Sequence, residues 1–316
     1  MLKYSLKRAI SLIPSFFIIT MLVYVISSIA GGSPLEMILQ DPFISAEEVA
    51  RKSAELGLDK PVLIQYFNWL GELLKGNLGV SYRTYVPVAK MISEAVGPTL
   101  ILTMTSTLLA LLFAIPLGLM AGYKPYSAWD YVSSALSYIG ASMPNFFAAL
   151  LLIFVVSLKL NWLPTSGMYD SFGEQSFREL VRHIILPAVV LSIQQVGSLI
   201  RQTRAGMVEV LQSEYIRTAR AQGIREKRIL VQYALRNALA PIITILGMQL
   251  PFIVGGAVVT EQIFSWPGLG SMMVRAIGAR DYPVIMGITV FIAVAVFIGN
   301  FIIDLLFGII NPRVRY

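Results

Sequence analysis

Residues 213–241 read SEYIRTARAQGIREKRILVQYALRNALAP and form a basic segment between two long apolar stretches. Ile216 and Ala219 lie three residues apart, which indicates a short helix with one apolar side. Gly223 suits the left-handed conformation that ends such a helix, and the basic run from 224 to 236 predicts a second helix. The segment is therefore predicted to be a helix, a sharp turn and another helix that project from an apolar bundle.

The composition places most of the chain in lipid. Of its 316 residues, 56% are hydrophobic and 14% are charged, and the mean hydropathy is +0.71, which is too apolar for an ordinary soluble domain. Because a helix needs roughly 20 apolar residues to cross a bilayer, we predict an all-α polytopic membrane protein with about six transmembrane helices. The predicted spans are Ala9–Ala30, Thr99–Gly122, Ala135–Leu158, Ile184–Ile200, Ala238–Thr260 and Val284–Gly308.

The basic residues are distributed unevenly between the two sides of these spans. More than half of the 25 Lys and Arg residues lie in the two termini and in the segments after the second and fourth spans, whereas most acidic residues lie in the other segments. Short basic loops face the cytoplasm, so we expect both termini in the cytoplasm. Topology and anionic lipid account for the net charge of +7, and we expect no nucleic-acid binding.

The segment from 31 to 98 is predicted to be an outer helical insertion after the first span. Ser45 and Glu48 fit a capping box that starts a helix, and Gly57 fits its end. A second helix is expected to begin after Pro61 and to lie at the membrane interface, where it either docks an external partner or caps the bundle. Its apolar side consists of Ile64, Phe67, Trp69, Leu70, Leu73 and Leu74.

Polar or flexible residues near the spans are candidates for a substrate pathway or gate. Arg201 and Arg204 are predicted either to form an ion-paired gate with Asp304 or to extend towards the interface. Glu261 is expected to meet a peptide amino group or a basic residue of a partner, or to be a solvated carboxylate at a helix end. Other candidates, which suit either a pathway or packing between helices, are Met143, Gln194, Gln195, Met248 and Gln249.

Prolines and small residues within the spans predict local departures from straight, isolated helices. Pro144 lies inside the third span, where it is expected to kink or loosen the helix. Gly118 and Gly122 have the GxxxG spacing that permits close contact between membrane helices.

The residue types present argue against several functions. The chain has no Cys and only one His, His183, which we expect to be an interfacial polar residue rather than a metal ligand. It lacks the GxxxxGK[ST] phosphate loop. An intramembrane enzyme needs paired catalytic groups, whereas Asp304 is the clear acid within the spans, and a channel or secondary transporter predicts inverted repeats or discontinuous ion-binding helices.

The chain resembles ABC importer permeases of the dipeptide, oligopeptide and nickel family along its whole length. Their coupling loop follows the pattern EAA, three residues, Gly, nine residues, I-x-L-P. Residues 217–219 take the EAA place, Gly223 is the glycine, and Tyr233, Leu235 and Arg236 take the I, L and P places. Further matching motifs are LGLDKP (56–61), GNLGVSY (76–82), IPLGLMAG (115–122), SMPNFFAALLLI (142–153), NWLPTSG (161–167), EQIFSWPGLG (261–270) and NPRVRY (311–316).

This resemblance implies a type I ABC importer permease fold, divided into residues 1–98 with the first span and outer segment, and residues 99–316 as a five-helix core with its coupling loop at about 201–236. It implies a non-enzymatic subunit that binds no cofactor and takes up di- or oligopeptides, or else nickel, chelated metal or another small solute.

The implied partners are a second homologous permease, two cytoplasmic ATPases that bind ATP and Mg²⁺, an external solute-binding protein, and lipid. In the implied contact with the ATPase, Tyr215, Ile216, Ala219 and Gly223 touch the partner, and the charges of Arg217 and Arg220 steer its approach. The full set of coupling residues is Glu214, Tyr215, Ile216, Arg217, Thr218, Ala219, Arg220 and Gly223.

Overall fold

The computed structural model describes residues 2–29, 46–55, 59–170, 175–239, 242, 245–247, 249–255 and 257–310, and in the last helix it describes side chains as far as Phe301. Helices dominate these residues. They are α1 (Leu2–Ile29), α2 (Ala46–Glu55), α3 (Val62–Leu74), α4 (Val88–Tyr123), α5 (Ala128–Ser142), α6 (Asn145–Leu152), α7 (Phe177–Leu211), α8 (Glu214–Ala221), α9 (Glu226–Arg228), α10 (Leu235–Ala238), α11 (Leu250–Gly255), α12 (Val258–Ile263), α13 (Leu269–Gly278) and α14 (Tyr282–Ile310). π-Helical turns span Ile153–Lys159, after α6, and Ile229–Ala234, between α9 and α10.

Three helices of the described chain are long and apolar enough to cross a membrane, namely α4, α7 and α14 as far as Phe301. The predicted first span corresponds to the 28-residue helix α1, in which the described apolar stretch is the shorter Ile13–Ile29. The predicted fifth span, 238–260, includes Met248 and other residues outside the described part of the chain. The structure thus supplies three spans by this criterion, or four if the bent pair of α5 and α6 is counted as one.

The third predicted span is not one straight helix. Instead α5 and the α6 segment, Asn145–Lys159, meet at an angle of 101°. Pro144 causes the break, because a proline disfavours helical backbone in the residue before it. Met143 accordingly has an extended backbone, with ψ of 118°, and ends α5. The expectation of a kink at Pro144 is confirmed, and the kink divides the predicted span into two helical segments.

The chain divides into two compact units, and the first contains residues 1–97 and 272–316. Within it, α1 packs against α14 and α3. The hydroxyl groups of Thr20 and Tyr66 are 3.0 Å apart, and the Tyr24 ring lies 5.7 Å from the Tyr66 ring and 5.9 Å from the Trp69 ring, between centroids. The aromatic residues of α3 therefore pack against α1, in addition to forming part of the apolar side predicted to lie at the membrane interface.

A carboxylate in the first unit fixes the loop before α4. Asp281 is buried, and its two oxygens accept hydrogen bonds from the Ser81 hydroxyl and the Tyr82 backbone N–H. The two segments also pack closely, because a Cβ added at Gly287 would overlap the Val88 side chain. These contacts connect the GNLGVSY loop to the start of α14.

The second unit, residues 98–271, is built around α7. Many α7 side chains are buried, and glycines allow α4 to approach this helix closely. A Cβ added at Gly118 would lie 2.5 Å from the Thr203 Cβ, and one at Gly122 would lie 2.6 Å from the Met207 Cβ. The GxxxG spacing therefore does place a helix contact between α4 and α7, as its small residues suggest.

Candidate coupling loop and polar sites of the helix bundle

The predicted coupling helix is α8, and two residues separate it from the end of α7. It ends in a Schellman motif, because the Gly223 N–H donates to the Arg220 carbonyl at 3.0 Å and the Ile224 N–H donates to the Ala219 carbonyl at 3.2 Å. Gly223 has a φ of +75°, the left-handed conformation that glycine adopts without strain. The predicted helix, its glycine and the sharp turn are all present in the structure.

The apolar side of α8 faces its own chain. Ile216 is fully buried and Ala219 is 4% exposed, and together with Ile229 they form a small core. Val210, Ile224 and Tyr233 pack against this core. Both side chains are enclosed by the end of α7 and the following π-helical turn, which leaves Ile216 and Ala219 little accessible surface, and their contact with the ATPase stays a prediction.

The outer side of α8 carries polar groups that remain accessible. Tyr215 is 44% exposed, and its hydroxyl accepts a hydrogen bond from Asn237 Nδ2 at 3.2 Å. Arg217 pairs with Glu214 at 2.8 Å, and both side chains are largely exposed. Thr218 is exposed as well. These residues form what we call the outer face of α8: Glu214, Tyr215, Arg217, Thr218 and Arg220.

A bidentate ion pair connects α8 to α9. The Arg220 guanidinium donates to both carboxylate oxygens of Glu226, through Nε at 3.2 Å and Nη2 at 2.8 Å. The hydrogen bond from Arg220 lowers the pKa of Glu226 below its ordinary value, and the same bond raises the pKa of Arg220. Beside this pair lies a recess of about 710 Å³, lined by Gln222, Gly223, Ile224, Arg225, Lys227, Arg228, Val231 and Gln232.

A second ion pair lies between α5 and α7. Arg204 on α7 donates to both oxygens of Asp130 on α5, at 2.6 and 2.8 Å, and Asp130 also accepts from the Tyr126 N–H at 2.8 Å. Arg201 donates to the Ser137 hydroxyl at 2.7 Å, and that hydroxyl donates to the Gly197 carbonyl at 2.7 Å. These bonds join α5 to α7.

Asp304, the partner predicted for the two arginines, lies in α14 beyond the described side chains. Arg204 instead uses Asp130, a residue whose role the local pattern did not indicate. The sequence feature that could have indicated Asp130 is its position in the first turn of α5, three residues after the N-cap Ser127. The gate itself stays a prediction.

Glu261 does not have the solvated environment that we expected. It is fully buried, and its carboxylate accepts hydrogen bonds from the Thr99 hydroxyl at 2.9 Å and the Ser271 N–H at 3.0 Å. Gly268 is needed here, because a Cβ at that position would lie 2.5 Å from the Glu261 carboxylate and from Thr99 Oγ1. Trp266, in the same motif, donates its indole N–H to the Pro98 carbonyl at 2.9 Å. The EQIFSWPGLG motif is thus folded around its own glutamate.

The remaining pathway candidates have different surroundings. Met143 packs against the buried cluster that contains Ala148 and Phe264, while Gln194 is exposed. Gln195 is buried, and its Nε2 is 3.5 Å from the Ser106 hydroxyl on α4. Gln249 is half-buried. Met248 lies outside the described residues, and a pathway formed by this group stays a prediction.

Family models match nearly the whole chain. The model described as the inner membrane component of binding-protein-dependent transport systems matches residues 114–316, and the model of the N-terminal part of such membrane components matches residues 1–103. The chain belongs to this family of transport-system membrane components. It is a polytopic inner membrane protein with the type I ABC importer permease fold.

Several curated relatives align over the full length of the chain. The oligopeptide transport system permease protein AppB of Bacillus subtilis (strain 168) is 43% identical and covers 100% of both chains. The dipeptide transport system permease protein DppB of Escherichia coli (strain K12) is 37% identical, over 100% of this chain and 99% of the relative. The glutathione transport system permease protein GsiC of Salmonella choleraesuis (strain SC-B67) is 36% identical over 100% of each.

A solved structure supports the fold at lower similarity. A chain from inward-facing structures of the MetNI methionine ABC transporter aligns with a TM-score of 0.55 at 17% identity. The alignment covers 70% of this chain and 96% of that chain. At this identity the match shows the shared fold.

Proposed function

We propose that this chain is a permease subunit of an ATP-driven importer that takes up di- or oligopeptides, with ATP hydrolysis carried out by partner subunits. The observation that carries the proposal is the full-length identity of 36–43% to relatives named for oligopeptide, dipeptide and glutathione transport. These three names share a peptide or peptide-like solute and none names a metal, so the nickel alternative is not favoured.

The structure of the loop supports a mechanical role for α8. Its buried residues Ile216 and Ala219 pack against Val210 of α7, and the Schellman motif connects its other end to Ile224. A helix held in this way moves with the end of α7 rather than independently, because core packing resists small displacements. A displacement of α8 by a partner is therefore transmitted to α7, around which the second unit is built.

The outer face of α8, with the recess beside Gly223, is the surface we assign to a cytoplasmic ATPase. An amphipathic helix that fits a groove is a common mode of recognition, and here the accessible contact consists of Tyr215 and charged groups. Nucleotide binding would change transport only if the ATPase holds α8 more favourably in one state than in the other. The proposed roles are contact by Tyr215 and Thr218 and charge recognition by Arg217 and Arg220.

The proposal includes the remaining partners and the orientation. A second homologous permease would complete the pathway, two ATPases would bind ATP and Mg²⁺, and an external solute-binding protein would deliver the peptide. Both termini and the loop around α8 would face the cytoplasm, since the basic residues concentrate there.

The contact is tested with Arg217→Glu in the assembled transporter reconstituted in proteoliposomes. We expect peptide uptake and peptide-stimulated ATP hydrolysis to fall about tenfold, which corresponds to about 1.4 kcal/mol of lost docking energy. Arg217→Lys, which keeps the charge, is the matched control and should retain most activity. Because the pair with Glu214 is exposed, folding of the variant should be unaffected.

The solute is tested separately in cells that lack this chain. Uptake of labelled di- and oligopeptides should be lost and then restored by the wild-type chain, while uptake of nickel should stay unchanged. Equal activity of Arg217→Glu and wild type would refute the proposed contact, and transport by the chain without any ATPase would refute the proposed function as a whole.

A further inference from the structure

The single histidine of the chain lies in a polar cluster at the start of α7. The His183 side chain is 2% exposed, and its Nδ1 is 3.1 Å from the carbonyl oxygens of both Ser166 and Gly167. Carbonyl oxygens only accept hydrogen bonds, so Nδ1 carries a proton and donates it. In the neutral ring, Nε2 then presents a lone pair on the opposite side.

Two carboxylate oxygens face that lone pair. His183 Nε2 is 3.3 Å from Asp170 Oδ1 and 3.5 Å from Glu179 Oε2. Among the described residues, neither Nε2 nor Glu179 Oε2 has a hydrogen-bond partner, although both atoms are buried. Three groups that bind cations thus converge, with their ligand atoms all within 4.8 Å of one another. A cation between the three atoms would give both buried atoms the partner that they lack.

The geometry at Nε2 favours a metal ion over a proton. Both carboxylate oxygens lie within 3.5 Å of Nε2, yet neither accepts a hydrogen bond from it with acceptable geometry. Ligand atoms about 2.0–2.2 Å from a tetrahedral Zn²⁺ lie about 3.3–3.6 Å from one another. The two separations at Nε2 match the edges of such a tetrahedron.

The local fold explains why these ligands meet. Ser176 caps α7 by accepting the Glu179 N–H at 3.3 Å, which places Glu179 in the first turn. His183 follows four residues later on the same side of the helix. The other Glu179 oxygen accepts from Arg182 Nη1 at 3.3 Å, so this arginine partly balances the two carboxylates.

The site also has a route for entry. Asp170, which comes from the loop before α7, is 57% exposed and lines a cavity of about 630 Å³. Ser166 and Gly167, whose carbonyls orient His183, line the same cavity. A fourth ligand such as water can therefore reach an ion held by the three side chains, as in zinc sites with three protein ligands.

We propose that Asp170, Glu179 and His183 bind a resident divalent first-row transition-metal ion, with zinc as the best match to a ligand set of one imidazole and two carboxylates. The oriented imidazole selects such ions over Mg²⁺ and Ca²⁺. The ion connects the loop before α7 to the first turns of that helix. His183 and the end of α7 at Leu211 lie 28 residues apart, or about 40 Å along the helix, so the site is separate from the proposed ATPase contact.

The site is tested by metal binding to the full-length chain, purified without a polyhistidine tag and stripped with a chelator. Titration calorimetry with Zn²⁺ should give one site per chain, and millimolar Mg²⁺ or Ca²⁺ should not compete. Asp170→Asn should weaken binding at least tenfold. Glu209→Gln, which removes an exposed carboxylate near the other end of α7, is the matched control and should bind as the wild type does.

His183→Gln should abolish binding, and X-ray absorption of the wild-type chain should report one imidazole nitrogen among ligands about 2.0–2.2 Å from zinc. Asp170→Asn keeps the test valid if the buried histidine variant does not fold. Absence of a stoichiometric site, equal affinities of Asp170→Asn and Glu209→Gln, or a zinc spectrum without imidazole would overturn the proposal. None of these readouts depends on peptide transport.

Discussion

The ion pair between Asp130 and Arg204 provides a quantitative test of how the second unit is held together. Two hydrogen bonds, of 2.6 and 2.8 Å, join α5 to α7 through this pair. The test is a double-mutant cycle with Asp130→Asn, Arg204→Gln and the double variant. Asp130→Asn keeps the side-chain size, and the packing lost in Arg204→Gln occurs in both the single and the double variant, so it cancels in the coupling free energy.

The expected coupling follows from burial. Breaking a fully buried ion pair by removing one partner costs about 3–5 kcal/mol. Here the Asp130 side chain is 7% exposed but that of Arg204 is 33% exposed, so water solvates part of the guanidinium. In addition, the Tyr126 N–H still bonds to residue 130 after Arg204 is changed. We therefore expect a coupling free energy of about 2 kcal/mol.

The assay is reversible unfolding of the detergent-solubilised chain in mixed micelles with increasing dodecyl sulfate. The exposed pair of Glu214 and Arg217, whose side chains are 86% and 66% exposed, is the matched control and should show about 0.5 kcal/mol or less. A coupling for Asp130 and Arg204 no larger than that of the control pair would refute the inference that this ion pair holds α5 to α7.

Two further predictions concern the loop around α8 and the groups that enclose the Glu261 carboxylate, which we call the Glu261 cage: Thr99, Gly268 and Ser271. Gly268→Ala should destabilise the chain by about 1–3 kcal/mol in the same unfolding assay, because the added Cβ overlaps the Glu261 carboxylate; Gly278→Ala, with open space at its Cβ, should be neutral or stabilising. Arg220 lowers the pKa of Glu226 below 4.5 in the folded chain. Their bond therefore stabilises the loop at pH values above the unfolded pKa, and this contribution is lost as the pH falls through the folded pKa. Amide-exchange protection factors of the loop should fall as the pH is lowered from about 5 through the folded pKa of Glu226, which lies below 4.5, and Glu226→Gln should show no such fall.

Local sequence patterns predicted the elements well where short-range physics decides them. The break at Pro144 and the left-handed turn at Gly223 follow from the backbone limits of single residues. The GxxxG pair, Gly118 and Gly122, indicated a close helix contact, and the structure identifies the partner helix as α7. Hydropathy located the long apolar helices, because the free-energy cost of placing polar groups in lipid depends on the residues of each segment alone.

Side-chain partners were predicted poorly. Helical spacing shows that Ile216 and Ala219 share a face, but it does not show whether that face packs against the same chain or another one. Asp130 and Arg204 lie 74 residues apart, and Thr99 and Glu261 lie 162 residues apart. No local pattern encodes such pairings, because they depend on how the helices pack.

The sequence by itself determined that this protein is a helical membrane component, where its long apolar helices lie, and that a short helix ends at Gly223. Those properties arise from hydropathy and from the backbone preferences of neighbouring residues. Only the tertiary structure decided that Glu261 is buried in a cage and that His183 meets two carboxylates. A charged or titratable group acquires its role from the groups that folding brings within a few ångströms, and these come from distant parts of the chain.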